Sequence, residues 1–154
     1  MNLKSLILAL ILGLSFQAKA ADEMGIGAMI GNPTGASGYL RAYEGHVIAA
    51  ALAYSFSRFP GLYISGDYLW DSNYQFSIKS WAWDVYYGVG GRVIAVQSGD
   101  DKNSTAFGVR GPVGVTHVLR DPHIMFFGEL VPVLTLSPRS DVGLDLGIGL
   151  RILF

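Results

Sequence analysis

The stretch VGLDLGIGLRILF, residues 142–154, decides the fold that this sequence predicts. Large apolar residues alternate along it with glycine and single charged residues. Because successive side chains of a β-strand point to opposite faces, the pattern predicts a strand with one apolar face and one face of small and charged residues. Small residues favour the narrow lumen of a closed barrel over a water-facing surface, which usually carries Lys, Glu and Thr. A soluble β-sandwich is the alternative, because it also alternates apolar and polar residues.

The composition favours the same fold. Of the 154 residues, 51% are hydrophobic, and the chain includes 20 glycines, 8 phenylalanines, 3 tryptophans and 8 tyrosines. Beyond residue 20, no apolar run in the sequence reaches the ~20 residues that a membrane-spanning helix needs. A closed β-barrel is the other way to cross a bilayer, because its strand ladder satisfies every backbone N–H and C=O.

The first twenty residues differ from the rest of the sequence. They contain Lys4, an apolar run over residues 6–14, and the small-x-small pattern Ala18-Lys19-Ala20. This order predicts a cleaved signal peptide, residues 1–20, and therefore export. The remaining residues, 21–154, have the length of a single domain.

Charge and residue types exclude several classes of function. Without Lys4 and Lys19, nine basic residues stand against twelve acidic ones, and no basic cluster suits a nucleic-acid partner. The chain has no cysteine, which excludes a disulfide scaffold, a thiolate metal site and a lipid-modified cysteine. No His or acidic pair has ligand spacing, so we expect neither a metal nor a cofactor.

Turn residues divide residues 21–154 into eight predicted strands. These are residues 24–30, 37–43, 46–56, 62–70, 81–95, 105–119, 123–135 and 142–154. The predicted fold class is all-β, a closed antiparallel up-and-down transmembrane β-barrel of eight strands. The connector over residues 71–80 is long, with a turn signal at Asp71-Ser72-Asn73. The alternation of Tyr74 and Phe76 favours an extension of the fourth and fifth strands, and an inverted orientation of the barrel is the alternative.

The same alternation places charged residues on the face that carries the glycines. A charge in a narrow interior is costly unless it is paired, so equal numbers of acids and bases predict a network. The predicted lumen network comprises Asp67, Arg92, Arg110, Glu129, Asp145 and Arg151. Glu129 and Arg151 lie on neighbouring predicted strands and are the expected pair, with Arg92 or Arg110 as alternative partners of Glu129. Solvated charges on the wet face of a sandwich are the competing interpretation.

The end of the sequence carries a resemblance. Gly149, Ile152 and Phe154 on an alternating strand resemble the β-signal that assembly machinery of the BamA type recognises, with Gly147 where that signal usually has a polar residue. Over residues 21–154 the chain resembles small eight-stranded outer-membrane proteins of the OmpA-barrel and OmpX kind. The resemblance implies an outer-membrane location, periplasmic termini, and outer-membrane lipids and BamA-type machinery as partners. It implies a fold more than an activity.

With periplasmic termini, aromatic residues fall at two levels, as expected for the girdles of a membrane barrel. The predicted periplasmic girdle contains Tyr68, Trp70, Trp81 and Trp83, together with Phe154, and the opposite girdle contains Tyr54, Phe56 and Phe107.

These expectations favour a monomeric, non-enzymatic barrel with a structural or interaction role and a lumen occluded by paired charges. An eight-stranded barrel is just wide enough for side chains to fill, so a narrow pore for ions or very small solutes is the first alternative. A lipid-modifying enzyme is another, although His46, His117 and His123 fall towards the predicted periplasmic end. A surface adhesin is the last, although predicted outer loops of about five to nine residues offer little surface compared with ~800 Å² per partner in a standard interface.

Overall fold

The computed structural model describes residues 23–57, 59–96 and 104–154. The predicted signal peptide and the turn predicted at Ser98–Asp101 lie outside these residues. The regular elements of the described part are all β-strands: β1 Glu23–Asn32, β2 Thr34–Tyr43, β3 His46–Ser55, β4 Gly61–Ile78, β5 Trp81–Val96, β6 Ser104–Arg110, β7 Val113–Arg120, β8 His123–Ser137 and β9 Asp141–Leu153. Within the same residues, there is no helix of the length and hydropathy required to span a membrane.

The strands form a closed antiparallel ring. Strands β1 to β5 pair in chain order, and β8 pairs with β9. Strand β1 closes the ring by pairing with β9, with Ile26 opposite Ile152 and Ile30 opposite Ile148. Strands β6 and β7 share one place in the ring, because both pair with β5 on one side and with β8 on the other. The ring therefore has eight strand positions, which confirms the prediction of an all-β, antiparallel fold.

The sixth predicted strand, residues 105–119, is not continuous. It divides into β6 and β7 at Gly111 and Pro112. Proline has no N–H, so Pro112 cannot donate a hydrogen bond to the ladder at this point. The backbone nevertheless stays between its neighbours, because the Gly111 N–H donates to the Pro132 carbonyl and the Gly88 N–H to the Pro112 carbonyl.

The fourth strand is longer than its first predicted turn allows. Asp71 still pairs with Tyr86, and residues 72–74 then form a bulge inside β4 opposite Val85, before pairing resumes between Gln75 and Asp84. The expected extension of the fourth and fifth strands is confirmed. We call residues 72–83 the arm, because they lie beyond Trp70 and Asp84, the last residues of β4 and β5 that pair with β3 and β7 in the ring.

The ring has two ends and two faces. The terminal end holds Glu23, Leu153 and the β2–β3, β4–β5 and β7–β8 connections, and the distal end holds the β1–β2, β3–β4 and β8–β9 connections. Inward residues alternate with outward ones along each strand. Two buried apolar clusters lie inside. The terminal cluster includes Tyr39, Val47, Leu69, Tyr86 and Met125, and the distal cluster comprises Ala53, Tyr63, Ile94 and Ala106.

Candidate functional site

The interior of the ring holds all six charged residues that the sequence assigns to a lumen. Strands β4, β5, β6, β8 and β9 supply them, each from a position on the inward face. Five are buried residues and the Glu129 side chain is 9% exposed, so all six are removed from bulk water. The buried residues are Asp67, Arg92, Arg110, Asp145 and Arg151.

The first ion pair crosses the interior. Arg92 Nη1 on β5 lies 2.8 Å from Asp145 Oδ2 on β9, although these strands are not neighbours in the ring. Arg92 Nη2 also donates to Thr135 Oγ1 at 3.0 Å, and Asn32 Nδ2 donates to Asp145 Oδ1 at 3.2 Å. Both charges are therefore paired and hydrogen-bonded, which is the condition for keeping them in a dry interior.

Arg110 forms the second part of the network. Its Nη2 lies 3.2 Å from Glu129 Oε1 on β8, and its Nε lies 3.1 Å from Asp67 Oδ1 on β4. The contact with Asp67 is an ion pair without hydrogen-bond alignment. Arg110 Nη1 donates to the Tyr63 hydroxyl of the distal cluster, and the Tyr86 hydroxyl of the terminal cluster donates to Glu129 Oε2 at 3.0 Å. The network thus joins both apolar clusters across the interior.

The expected pair of Glu129 and Arg151 does not form, and Arg110, one of the alternative partners, is paired with Glu129 instead. Register explains the difference. Glu129 stands opposite Gly147, four residues from Arg151 along β9, which is about 13 Å at ~3.3 Å per residue. In the described part of the chain, no carboxylate lies within ion-pair distance of Arg151.

Arg151 is held by neutral groups. Its Nε and Nη2 donate to Ser37 Oγ at 3.0 and 2.8 Å. The guanidinium carbon lies 3.9 Å from the ring centroid of Phe127 and 5.5 Å from that of Tyr39, within the range of cation–π attraction. These inward residues surround Arg151 at the terminal end of the interior.

A further charged group that we did not predict closes the terminal end. Arg41 Nη1 lies 2.5 Å from Asp71 Oδ2, and Arg41 Nε lies 3.9 Å from Glu23 Oε1. A cavity of about 10 Å³ between Arg41, Tyr86 and Arg151 has room for at most one water molecule. The inward positions of Arg41 and Asp71 follow from strand alternation, which is the signal that could have identified them.

Tyrosine, tryptophan and histidine rings lie at the outer surface of the terminal end. Tyr68 contacts Trp70 at a centroid distance of 5.0 Å, and its hydroxyl lies 2.7 Å from His46 Nδ1. The His117 ring contacts the rings of Trp81 and Trp83, at centroid distances of 4.6 and 5.3 Å. In the opposite predicted girdle, the rings of Tyr54 and Phe56 contact each other at a centroid distance of 5.0 Å. Phe107 is exposed on the outward face of β6.

The residues that resemble an assembly signal lie where the ring closes. The Phe154 N–H donates to the Met24 carbonyl at 2.8 Å, and the Met24 N–H donates to the Phe154 carbonyl at 3.0 Å. Ile152 points outward between β1 and β8. At Gly149 a Cβ would lie 2.6 Å from the Phe127 ring, so glycine permits this close approach.

The histidines and acids form no metal site in the described residues, where no three such side chains are grouped. Comparisons with protein families, curated proteins and solved structures gave no match to this chain.

Proposed function

We propose that the chain is an integral outer-membrane β-barrel protein, exported with a cleaved signal peptide, whose lumen is occluded by paired charges. The observation that carries the proposal is the reversed polarity of the ring, which has charges inside and large apolar side chains outside. The outward residues of β9 from Val142 to Ile152 are 44–78% exposed, and all are Val, Leu or Ile. Soluble monomers rarely expose continuous apolar surfaces of this kind, whereas lipid favours them.

The closed ladder supports the same proposal. An open sheet has edge strands whose unpaired N–H and C=O groups are costly in hydrocarbon. Here β1 pairs with β9, and the pairing continues to Phe154. Strands of about 9–11 tilted residues span a bilayer, and the ten residues of β3 meet that requirement.

The filled interior favours a structural or interaction role over a pore. Arg92 pairs with Asp145, and Arg110 with Asp67, between strands that are not neighbours in the ring. Hydrogen bonds from this network reach Tyr63 of the distal cluster and Tyr86 of the terminal cluster. We propose a monomer that contacts outer-membrane lipids and is assembled by BamA-type machinery, with Gly149, Ile152 and Phe154 as its signal.

Reconstitution into vesicles followed by planar-bilayer recording tests this function. We expect the protein to resist extraction by alkaline carbonate and to show no steady current. A steady ion current from the unmodified protein would favour the narrow pore. Release by carbonate would contradict membrane insertion.

A further inference from the structure

The arm presents an apolar surface that the ring does not cover. Phe76 stands opposite Trp83, and Ile78 opposite Trp81, so these four side chains share one face. Of these, Ile78 is 57% exposed and Trp81 47%. The opposite face is polar, and on it Gln75 Nε2 donates to Asp84 Oδ1 at 2.6 Å.

The apolar face of the arm continues the outer surface of the ring. Alternation along β5 places Trp81 and Trp83 on the same side as the outward residue Tyr87. The Trp81 ring stacks on His117 of β7, and its centroid lies 6.5 Å from that of the Phe126 ring of β8. His117 Nδ1 also lies 2.6 Å from the Ala82 carbonyl, which ties the arm to the ring where the β5–β7 ladder ends.

The arm extends beyond the part of β4 that pairs with β3 in the ring. Strand β3 ends its pairing at Trp70, whereas β4 continues to Ile78, which adds about 20 Å at ~3.3 Å per residue after allowance for the bulge. Bulges bend strands. The ion pair of Asp71 with Arg41 lies at the base of the arm, immediately before the bulge.

We propose that the arm lies in the interfacial layer of the membrane leaflet at the terminal end, with Phe76, Ile78, Trp81 and Trp83 among the headgroups and first acyl carbons. This inference rests on the proposed membrane function. Tryptophan and tyrosine are enriched at that depth, and the apolar face continues the surface assigned to lipid. The unpaired edges of a two-stranded arm need water or headgroups as hydrogen-bond partners, so the arm lies shallow and not in the hydrocarbon.

Three single-cysteine variants test the depth of the arm, since the chain has no cysteine of its own. Ile78→Cys reports the apolar face, Ser77→Cys the polar face, and Ile148→Cys the lipid-facing side of β9. Each protein carries an environment-sensitive NBD label in vesicles of phosphatidylethanolamine and phosphatidylglycerol. Quenching is measured with shallow nitroxide lipid, deep nitroxide lipid and aqueous iodide.

We expect shallow nitroxide lipid to quench most of the emission at position 78, iodide to quench position 77, and deep nitroxide lipid to quench position 148. Iodide quenching at position 78 with lipid quenching at 148 would overturn the placement of the arm alone. Shielding of position 78 from both iodide and lipid would mean that protein, such as a second copy, covers the arm, and would also overturn it. Loss of lipid quenching at position 148 would overturn the membrane function itself.

Discussion

Arg92 and Asp145 form an ion pair of 2.8 Å across the interior of the ring, although β5 and β9 are not neighbouring strands. Both side chains are 5% exposed, and Thr135 and Asn32 supply further hydrogen bonds. The pair therefore ties opposite parts of the ring together and fills space between them. In a membrane barrel, the same contact blocks the lumen.

Replacing Asp145 by Asn tests this block. The variant leaves a buried guanidinium without its carboxylate, and breaking a buried pair costs about 3–5 kcal/mol. We expect a lower free energy of unfolding in urea, measured in vesicles, and more frequent channel openings in planar bilayers. Asp84→Asn, which changes an exposed acid on β5, is the matched control. Equal stability and equal current in Asp145→Asn and the unmodified protein would contradict the proposed plug.

The choice of partner for Glu129 is tested by two double-mutant cycles. Glu129→Gln combined with Arg110→Gln removes both ends of the 3.2 Å contact, and we expect a coupling of about 1–3 kcal/mol in the free energy of unfolding. Glu129→Gln combined with Arg151→Gln should be additive to within about 0.5 kcal/mol, because these residues do not touch. A larger coupling with Arg151 than with Arg110 would show that the register of β8 and β9 is wrong.

A substitution at Gly90 tests how closely β5 approaches β4 beside the ion pair of Asp67 with Arg110. A Cβ at this position would lie 2.0 Å from Asp67 Oδ1 and 2.3 Å from the Gly66 carbonyl oxygen. We expect Gly90→Ala to displace Asp67 from Arg110 and to lower the free energy of unfolding by about 1–3 kcal/mol.

The adjacent Gly91 provides the control for that substitution. It faces outward, and a Cβ there would meet its nearest atom, the Gly108 carbonyl oxygen, at 3.7 Å. Gly91→Ala should change the free energy of unfolding by less than about 0.5 kcal/mol. Equal effects of Ala at positions 90 and 91 would contradict the inward placement of Asp67.

Assembly is expected to depend on Phe154. Its deletion removes the two backbone hydrogen bonds to Met24 at the closing seam, and the aromatic ring that resembles the assembly signal. We expect less protein in the outer membrane and more periplasmic degradation, measured by cell fractionation and immunoblotting. Phe154→Tyr retains the backbone and an aromatic ring and should insert normally. Normal insertion of the deleted form would rule out Phe154 as part of the signal.

Alternation along the sequence was sufficient to predict which residues face inward. It placed Asp67, Arg92, Arg110 and Asp145 on the glycine-containing face, and the structure buries them. Alternation does not specify register, however, and the partner of Glu129 depends on a four-residue offset along β9. Contacts across the ring, such as that of Arg92 with Asp145, also depend on closure, which no local pattern encodes.

Local turn signals were less reliable than alternation. Asp71-Ser72-Asn73 has the composition of a turn, but Asp71 stays paired and residues 72–74 form a bulge, because the strand beyond them pairs with β5. The predicted strand over residues 105–119 shows the reverse case, because it is interrupted where no turn was predicted. It divides at Gly111 and Pro112, since Pro112 has no N–H to donate to the ladder.

The most direct test of the central claim is the gel migration of the folded protein before and after heating. A closed ring in which every strand is paired should remain folded in cold SDS, because unfolding requires the ladder to open. We expect unheated protein from vesicles to migrate differently from boiled protein and to require detergent for extraction. Identical migration, together with solubility in the absence of detergent, would contradict the membrane barrel and favour the soluble sandwich.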